Sequence, residues 1–190
     1  FKAGGVEVKV ISGDNPITVS KISKRAGIEN ADRYISLDGM SDEEVAEAAL
    51  EYTVFGRVSP TQKRIIVKTL QANKKTVAMT GDGVNDILAL KEADCSIAMA
   101  SGSEATRYVS HLVLMDSKFS SMPKVVNEGR RVINNIQLTS TLFLTKTVMS
   151  VLLTILFIAL RRPYPFESIQ LFIIEFFVIG FPSFFLVLQP

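Results

Sequence analysis

Two long apolar stretches limit what this chain can fold into more than any other feature. Leu138 to Leu160 is a run of 23 residues with one charge, Lys146, and Ser168 to Pro190 is another of 23 with one charge, Glu175. The hydrocarbon core of a bilayer, about 30 Å thick, is crossed by a helix of about 20 mainly apolar residues. The two stretches are joined by the polar segment 161–167. They therefore predict a helical hairpin crossing a membrane twice, with spans at about 138–160 and 168–188. Two helices buried in a soluble core are the alternative. That fits poorly, because both stretches are long and apolar on every side.

Upstream the pattern is different. Residues 1 to about 117 alternate strand and helix signals. Strands are predicted over 6–12, 53–55, 76–79, 96–99 and 111–115. Helices are predicted over 16–26, 42–51, 60–72 and 87–93. Ser41 with Glu44 three residues on reads as a capping box, and Pro60 suits the first turn of its helix. This βαβα order predicts an α/β fold, Rossmann-like, with a parallel sheet and flanking helices. Such sheets carry their sites at the carboxyl ends of the strands. Ser12-Gly13-Asp14-Asn15, Arg57 and Gly81-Asp82 all fall there.

From Phe119 onward a helical periodicity runs into the first apolar stretch, with Gly129 its one weak point. It predicts a long stalk helix, a rigid rod that would carry movement from the soluble part into the bilayer. The expected division is a soluble domain over 1–128, then stalk and hairpin over 129–190. The chain opens on a strand-like segment without an initiating Met, as a piece of something longer would. Its net charge of +2 is thinly spread, which argues against a nucleic-acid partner. The single cysteine, Cys95, allows no internal disulfide and is expected in a buried strand. His111, the one histidine, is expected to be structural.

The chemistry concentrates between Thr76 and Asp94. An apolar run ends in Thr80-Gly81 and is followed at once by Asp82, Gly83, Asn85 and Asp86. Two carboxylates four positions apart on a glycine-loosened turn suit a small hard cation. Mg²⁺ takes oxygen ligands in near-octahedral geometry and commonly brings a phosphate. The glycine N–H groups at Gly13 and Gly83 can approach phosphate oxygens closely. Taken singly, Asp14, Asn85 or Asp86 can equally cap a helix, and Lys63 can be a solvated helix residue.

Five segments together resemble the cation-transporting P-type ATPases of the haloacid-dehalogenase-like superfamily. They are ISGDN (11–15), VFGRVSPTQK (54–63), TGDGVND (80–86), ALKEAD (89–94) and NEGRRVINN (127–135). The resemblance implies the C-terminal part of a phosphorylation domain, followed by membrane helices five and six. It implies Asp82 as direct Mg²⁺ ligand, with Asp86 supporting metal and loop. Asn85 and Lys63 would meet the transferred phosphoryl group. Ser12, Gly13 and Asp14 would stand in a loop contacting nucleotide phosphate, and Arg57 would touch ATP itself. Phosphoryl transfer depends on such positioning and charge neutralisation. The family's phosphorylated aspartate lies in a DKTGT sequence, which does not occur in these 190 residues. The implied partners are therefore the rest of the same pump (nucleotide-binding and actuator domains, other membrane helices) and lipid. Alone, the chain is expected to be inactive in ATP hydrolysis. A strand ending in that aspartate is expected next to the one ending at Gly81, so isolation would expose sheet edges.

The resemblance also implies an ion path. The family's calcium-binding positions fall on Thr147 and Ser150 in the fifth helix, and on Glu175, Val178 and Ile179 in the sixth. Only Glu175 is a carboxylate, which weighs against calcium. Lys146 with Glu175 instead resembles the proton/potassium-exchanging members. An ionisable residue within a span is costly and points to function. Lys146 lies too deep to snorkel easily, so pairing with Glu175 is expected, while a snorkelling lysine and a Glu175 facing water remain the alternative. The span's hydroxyls are expected mostly to bond their own or a neighbouring helix. Gly180-Phe181-Pro182 is expected to break the sixth helix and free carbonyls. The stalk basics mark the cytoplasmic side, which puts Arg161 and Arg162 awkwardly on the far side, but the soluble domain should dominate because ATP chemistry is cytosolic. The expected location is a bacterial plasma membrane. Two other readings stay open: a non-catalytic truncated paralogue acting as regulator or binding module, and a soluble phosphatase of the same superfamily.

Overall fold

A computed structural model describes residues 5–187, so residues 188–190 of the second apolar stretch lie outside the described part. The chain divides between Ser121 and Met122 into two compact units.

The first unit is built of short parallel strands with helical crossovers. In order these are β1 (Val10–Ile11), α1 (Pro16–Arg25), β2 (Tyr34–Ser36), α2 (Asp42–Glu51), β3 (Val54–Gly56), α3 (Pro60–Ala72), β4 (Ala78–Gly81), α4 (Ile87–Glu92), β5 (Cys95–Met99), α5 (Glu104–Val109) and β6 (Leu112–Leu114). The parallel strands form two three-stranded sheets, ordered β1-β3-β2 and β4-β5-β6. In the first, Val10 and Tyr34 both register on Val54; in the second, Gly81 registers on Ala98. β1 and β4 are each edge strands, so each has one side open.

The helices start where the sequence supplies caps. Ser41 Oγ accepts from the Glu44 N–H at 3.3 Å, and Glu44 Oε2 accepts from the Ser41 N–H at 2.8 Å. Ser59 and Gln62 repeat this box at α3, a signal the sequence reading passed over. Asn15, not Asp14, caps α1: its Oδ1 accepts from the Ile17 N–H at 2.9 Å. Two elements were also not foreseen, β2 and α5. Both are short, and β2 pairs with β3 alone in its sheet. The first strand keeps only two of its seven expected residues, because only Val10 and Ile11 find partners on β3.

The main core packs α2 and α3 onto the first sheet through Leu37, Val45, Ala49, Phe55 and Ile66, all essentially inaccessible. A second cluster seats α4 against α3 through Val67, Ala89 and Ala93, with Val77 and Met79 beside them. Asp94 closes the entrance to β4. Its carboxylate accepts from the Val77 N–H at 2.7 Å, and that bond, followed by the Gln71 side chain, holds its pKa below the ordinary carboxylate value. Cys95 opens β5 half-buried, not in the core. His111 is structural, as expected: its Nδ1 accepts from the Ser96 N–H at 3.0 Å.

The second unit is helical. α6 (Met122–Ala159) runs for 38 residues through Gly129 without interruption. A turn follows, then α7 (Ser168–Glu175), a π-turn (Phe176–Gly180) and α8 (Phe181–Val187). The expected break at Gly180-Phe181-Pro182 is therefore a widened turn inside a continuous helix. Pro182 has no N–H for the carbonyl four residues back. The chain accommodates this one turn earlier with a wider bond, the Phe181 N–H reaching the Phe176 carbonyl. Two helical stretches are long and apolar enough to cross a membrane, Phe119–Ala159 and Ser168–Phe185, and almost nothing of their most apolar windows is covered within the chain. Uncovered apolar faces of this length fit lipid or further membrane helices, not the core of a soluble protein.

Phe55 is the largest side chain at the centre of the first unit. Truncation to Ala is expected to cost about 3–5 kcal/mol. Urea unfolding followed on this unit should show a lower midpoint; an unchanged midpoint would mean the core lies elsewhere.

Candidate functional site

The residues singled out for chemistry gather at the carboxyl ends of the strands, in two loops and one helix start. The first loop leaves β1. Ser12 Oγ donates to Asp14 Oδ2 and accepts from the Asp14 N–H, both at 3.1 Å. A second segment clasps it from β3: the Arg57 N–H donates to the Asp14 carbonyl at 2.9 Å, and the Val58 N–H to the Ser12 carbonyl at 3.1 Å. Arg57 takes a left-handed backbone, φ 53°, a costly conformation for a long side chain, and its guanidinium is exposed. Gly13 is exposed with open space around it.

The second loop leaves β4. Its centre is an ion pair between Lys63 Nζ, at the end of the first turn of α3, and Asp86 Oδ1, 2.6 Å apart. The two side chains are only 12% and 11% exposed. Asp86 Oδ2 also accepts from the Gly83 N–H at 3.3 Å. Both carboxylate oxygens are thus committed inside the protein. The Gly83 N–H, read from sequence as free to meet phosphate, is turned onto Asp86.

Gly81 makes the pair possible. A Cβ there would lie 2.6 Å from the Asp86 Cβ and 2.9 Å from its Oδ2. Any larger residue would push Asp86 off Lys63. Asp82 differs from Asp86 in every respect. It is exposed, and its carboxylate has no protein partner among the described residues. Asn85, in the one-turn 3₁₀ segment Val84–Asp86, is exposed beside it. The result is one carboxylate pointing out with free oxygens, next to a neutralised buried pair. That donor set fits Mg²⁺, which takes one or two carboxylates and keeps waters and phosphate oxygens for the rest. Among the described residues no cluster of three or more His, Cys, Asp or Glu gathers, so a complete protein-only cage is not formed.

The sequence reading missed the floor of this loop. The Ser103 N–H donates to the Asp82 carbonyl at 2.8 Å, and a Cβ on Gly102 would meet that same oxygen at 2.5 Å. The available signal was the small-residue run Ala100-Ser101-Gly102-Ser103 directly after a strand.

In the second unit Lys146 Nζ and Glu175 Oε1 pair at 2.5 Å. Thr147 Oγ1 donates to the Phe143 carbonyl at 2.9 Å, and Thr141 and Thr154 make the same backward bond, as expected of span hydroxyls. The Ser150 carbonyl accepts from Thr154.

A parallel α/β unit with an exposed aspartate after its fourth strand is followed by two helices long and apolar enough to cross a membrane. The haloacid dehalogenase-like hydrolase family model matches residues 1–94. The chain is 49% identical over 192 residues to the probable cation-transporting ATPase exp7 of Streptococcus pneumoniae, and 48% over 200 residues to the calcium-transporting ATPase CtpE of Mycobacterium tuberculosis. These alignments cover 97% and 100% of the chain and 25% of each relative. Among solved structures, a zinc-transporting PIB-type ATPase in an E2·Pi state matches 98% of the chain and 25% of its own length, with a TM-score of 0.69 at 20% identity. The chain belongs to the cation-transporting P-type ATPase family, and it spans about a quarter of the length of the curated relatives it matches.

Because the Lys63–Asp86 pair is buried, losing one partner strands the other. Asp86→Asn and Lys63→Met are each expected to destabilise the unit by about 3–5 kcal/mol. The double variant should cost clearly less than the sum. A double-mutant cycle by chemical denaturation tests this, and strict additivity would show that the pair contributes no coupling.

Proposed function

We propose that this chain supplies the metal-binding half of the phosphorylation site, and part of the ion path, of an ATP-driven cation pump. The observation that carries the reading is the contrast between Asp82, exposed with free oxygens, and Asp86, buried and tied to Lys63. Asp82 is the direct Mg²⁺ ligand. Asp86 supports it from behind, fixing the loop through Gly83 and holding Lys63 in place. Mg²⁺, when bound, supplies positive charge at the phosphate oxygens. Lys63 adds a compact cation whose charge Asp86 partly balances, and Asn85 offers an amide donor to the phosphoryl group. The clasped loop of Ser12, Gly13 and Asp14 contacts a phosphate of ATP, and Arg57 at its rim touches the nucleotide.

The acceptor aspartate, on this reading, stands on a strand outside these 190 residues. The open sides of β1 and β4 favour that arrangement, since a parallel strand inserted there would join two three-stranded sheets into one. The remaining pump domains and membrane helices are the partners, and the unit lies on the cytoplasmic side. The competing regulator reading requires no acceptor anywhere in the full-length protein.

For the ion, two chemistries compete. The name of the mycobacterial relative favours calcium. The Lys146–Glu175 pair favours a monovalent ion or proton, because a divalent ion at Glu175 must first displace a resident ammonium. Thr147, Ser150 and the carbonyls around the π-turn complete the path.

In the full-length protein in lipid, Asp82→Asn should abolish Mg²⁺-dependent phosphoenzyme formation; wild-type phosphoenzyme levels would refute the metal role. Glu175→Gln should change the cation dependence of ATPase activity in a screen over Ca²⁺, K⁺ and pH, while nucleotide binding stays as in wild type. An unchanged ion profile would remove Glu175 from the path.

A further inference from the structure

We infer that Arg107, through the loop Ala100–Ser103, is a positioning residue for Asp82, and so sets how tightly Mg²⁺ is held. The inference rests on the reading of Asp82 as metal ligand.

Asp82 has a free carboxylate and no side-chain partner to steer it. Its direction is therefore set by its backbone. On the upstream side that backbone is fixed by β4, whose last residue, Gly81, registers on Ala98 of β5. Past Gly81 the ladder ends. The β5 chain turns away instead, the Ala100 N–H donating to the Leu114 carbonyl at 3.0 Å. The chain then curls back beneath Asp82: the Gly102 N–H returns to the Met99 carbonyl at 3.0 Å, and the Ser103 N–H meets the Asp82 carbonyl at 2.8 Å. Gly102 packs so closely that a Cβ would fall 2.5 Å from the Asp82 carbonyl oxygen and 2.9 Å from its Cα. The loop is a saddle on which Asp82 sits.

A saddle of small residues has no stiffness of its own, and Arg107 gives it some. Arg107 Nη1 donates to the Ala100 carbonyl at 2.6 Å and to the Gly102 carbonyl at 3.2 Å, spanning the loop from end to end. The Ser101 N–H is held by Ser117 Oγ at 2.9 Å, and Ser103 caps α5 through the Thr106 N–H at 3.2 Å. Thr106 is fully buried, and its Oγ1 donates to the Ser103 carbonyl at 2.6 Å. Among these contacts Arg107 alone bridges two carbonyls of the saddle. A guanidinium presents several N–H donors in one rigid plane, whereas an ammonium on a flexible stem holds two such points less firmly. Groups that orient a metal ligand without touching the metal typically change affinity by about 10–100-fold when removed.

The test uses the full-length protein in lipid, phosphorylated by inorganic phosphate at varied Mg²⁺. Arg107→Gln is expected to raise the half-saturating Mg²⁺ about tenfold, with the maximal phosphoenzyme level near wild type at saturating Mg²⁺. Arg107→Lys should fall between the two. Gly102→Ala, which leaves Arg107 intact but pushes on Asp82, should raise the midpoint as well. A merely structural role would lower the amount of competent protein and so the maximum, not the midpoint. If Arg107→Gln does not reach the membrane, Arg107→Lys and Gly102→Ala decide by the same midpoint. Wild-type Mg²⁺ midpoints in the variants that do fold would overturn the inference. If Asp82→Asn itself keeps phosphoenzyme formation, the metal-ligand reading fails, which is a different outcome from this one failing alone.

Discussion

The first unit depends on one buried charge pair. Lys63 and Asp86 come from elements 23 residues apart, and their contact ties the start of α3 to the loop after β4. Burying either charge alone would be strongly unfavourable, so the pair commits both elements at once. Gly81 is the condition for it, since no other residue leaves room for the Asp86 side chain. The pair also divides the two aspartates of the loop into different tasks. With both its oxygens engaged, Asp86 cannot reach outward. Asp82, four residues earlier on the other side of the turn, is left with oxygens free for a ligand.

This division explains a feature of the loop that looks inefficient. On the proposed reading, Asp86 holds Lys63 while Asp82 takes the metal. A phosphate-handling site needs positive charge held at a fixed place, and a lone lysine does not provide that. Its stem has many rotamers. A carboxylate behind it holds the ammonium in one place. On the proposed reading, the pair gives up part of the lysine's net charge toward a phosphate and in return needs no reorganisation when one binds.

Much of this was legible in the chain. The capping box at Ser41, the proline start of α3 and the βα alternation each rest on local chemistry that a short window contains. The same holds for the apolar spans and for the Lys146–Glu175 pairing, because a charge deep in an apolar run has few ways to be satisfied. What was not legible depends on contacts between distant segments. Nothing near Lys63 in the sequence announces Asp86 as its partner. β2 has little local signal, and its existence follows from β3 lying beside it. The saddle at Ala100–Ser103 reads as a bland run of small residues until Asp82 is seen resting on it. The split into two sheets was hidden for a related reason: strand signals give the number of strands but not whether a partner lies between them.

The membrane unit shows how a proline can be absorbed without breaking a helix. Pro182 withdraws one N–H, and a break was the expectation. Between Phe176 and Gly180 the backbone widens to a π-turn instead, and the helix continues as Phe181–Val187. The widening begins at the residue immediately after Glu175, whose Oε1 is held by Lys146. A wide turn leaves backbone carbonyls less well saturated than an α-turn does, and it places them beside the one carboxylate of the span. The proline thus goes with a widened turn that starts directly after the ionisable side chain. A straight α-helix of the same residues would still leave the Val178 carbonyl without the N–H that Pro182 lacks; the widened turn places the adjustment directly after Glu175.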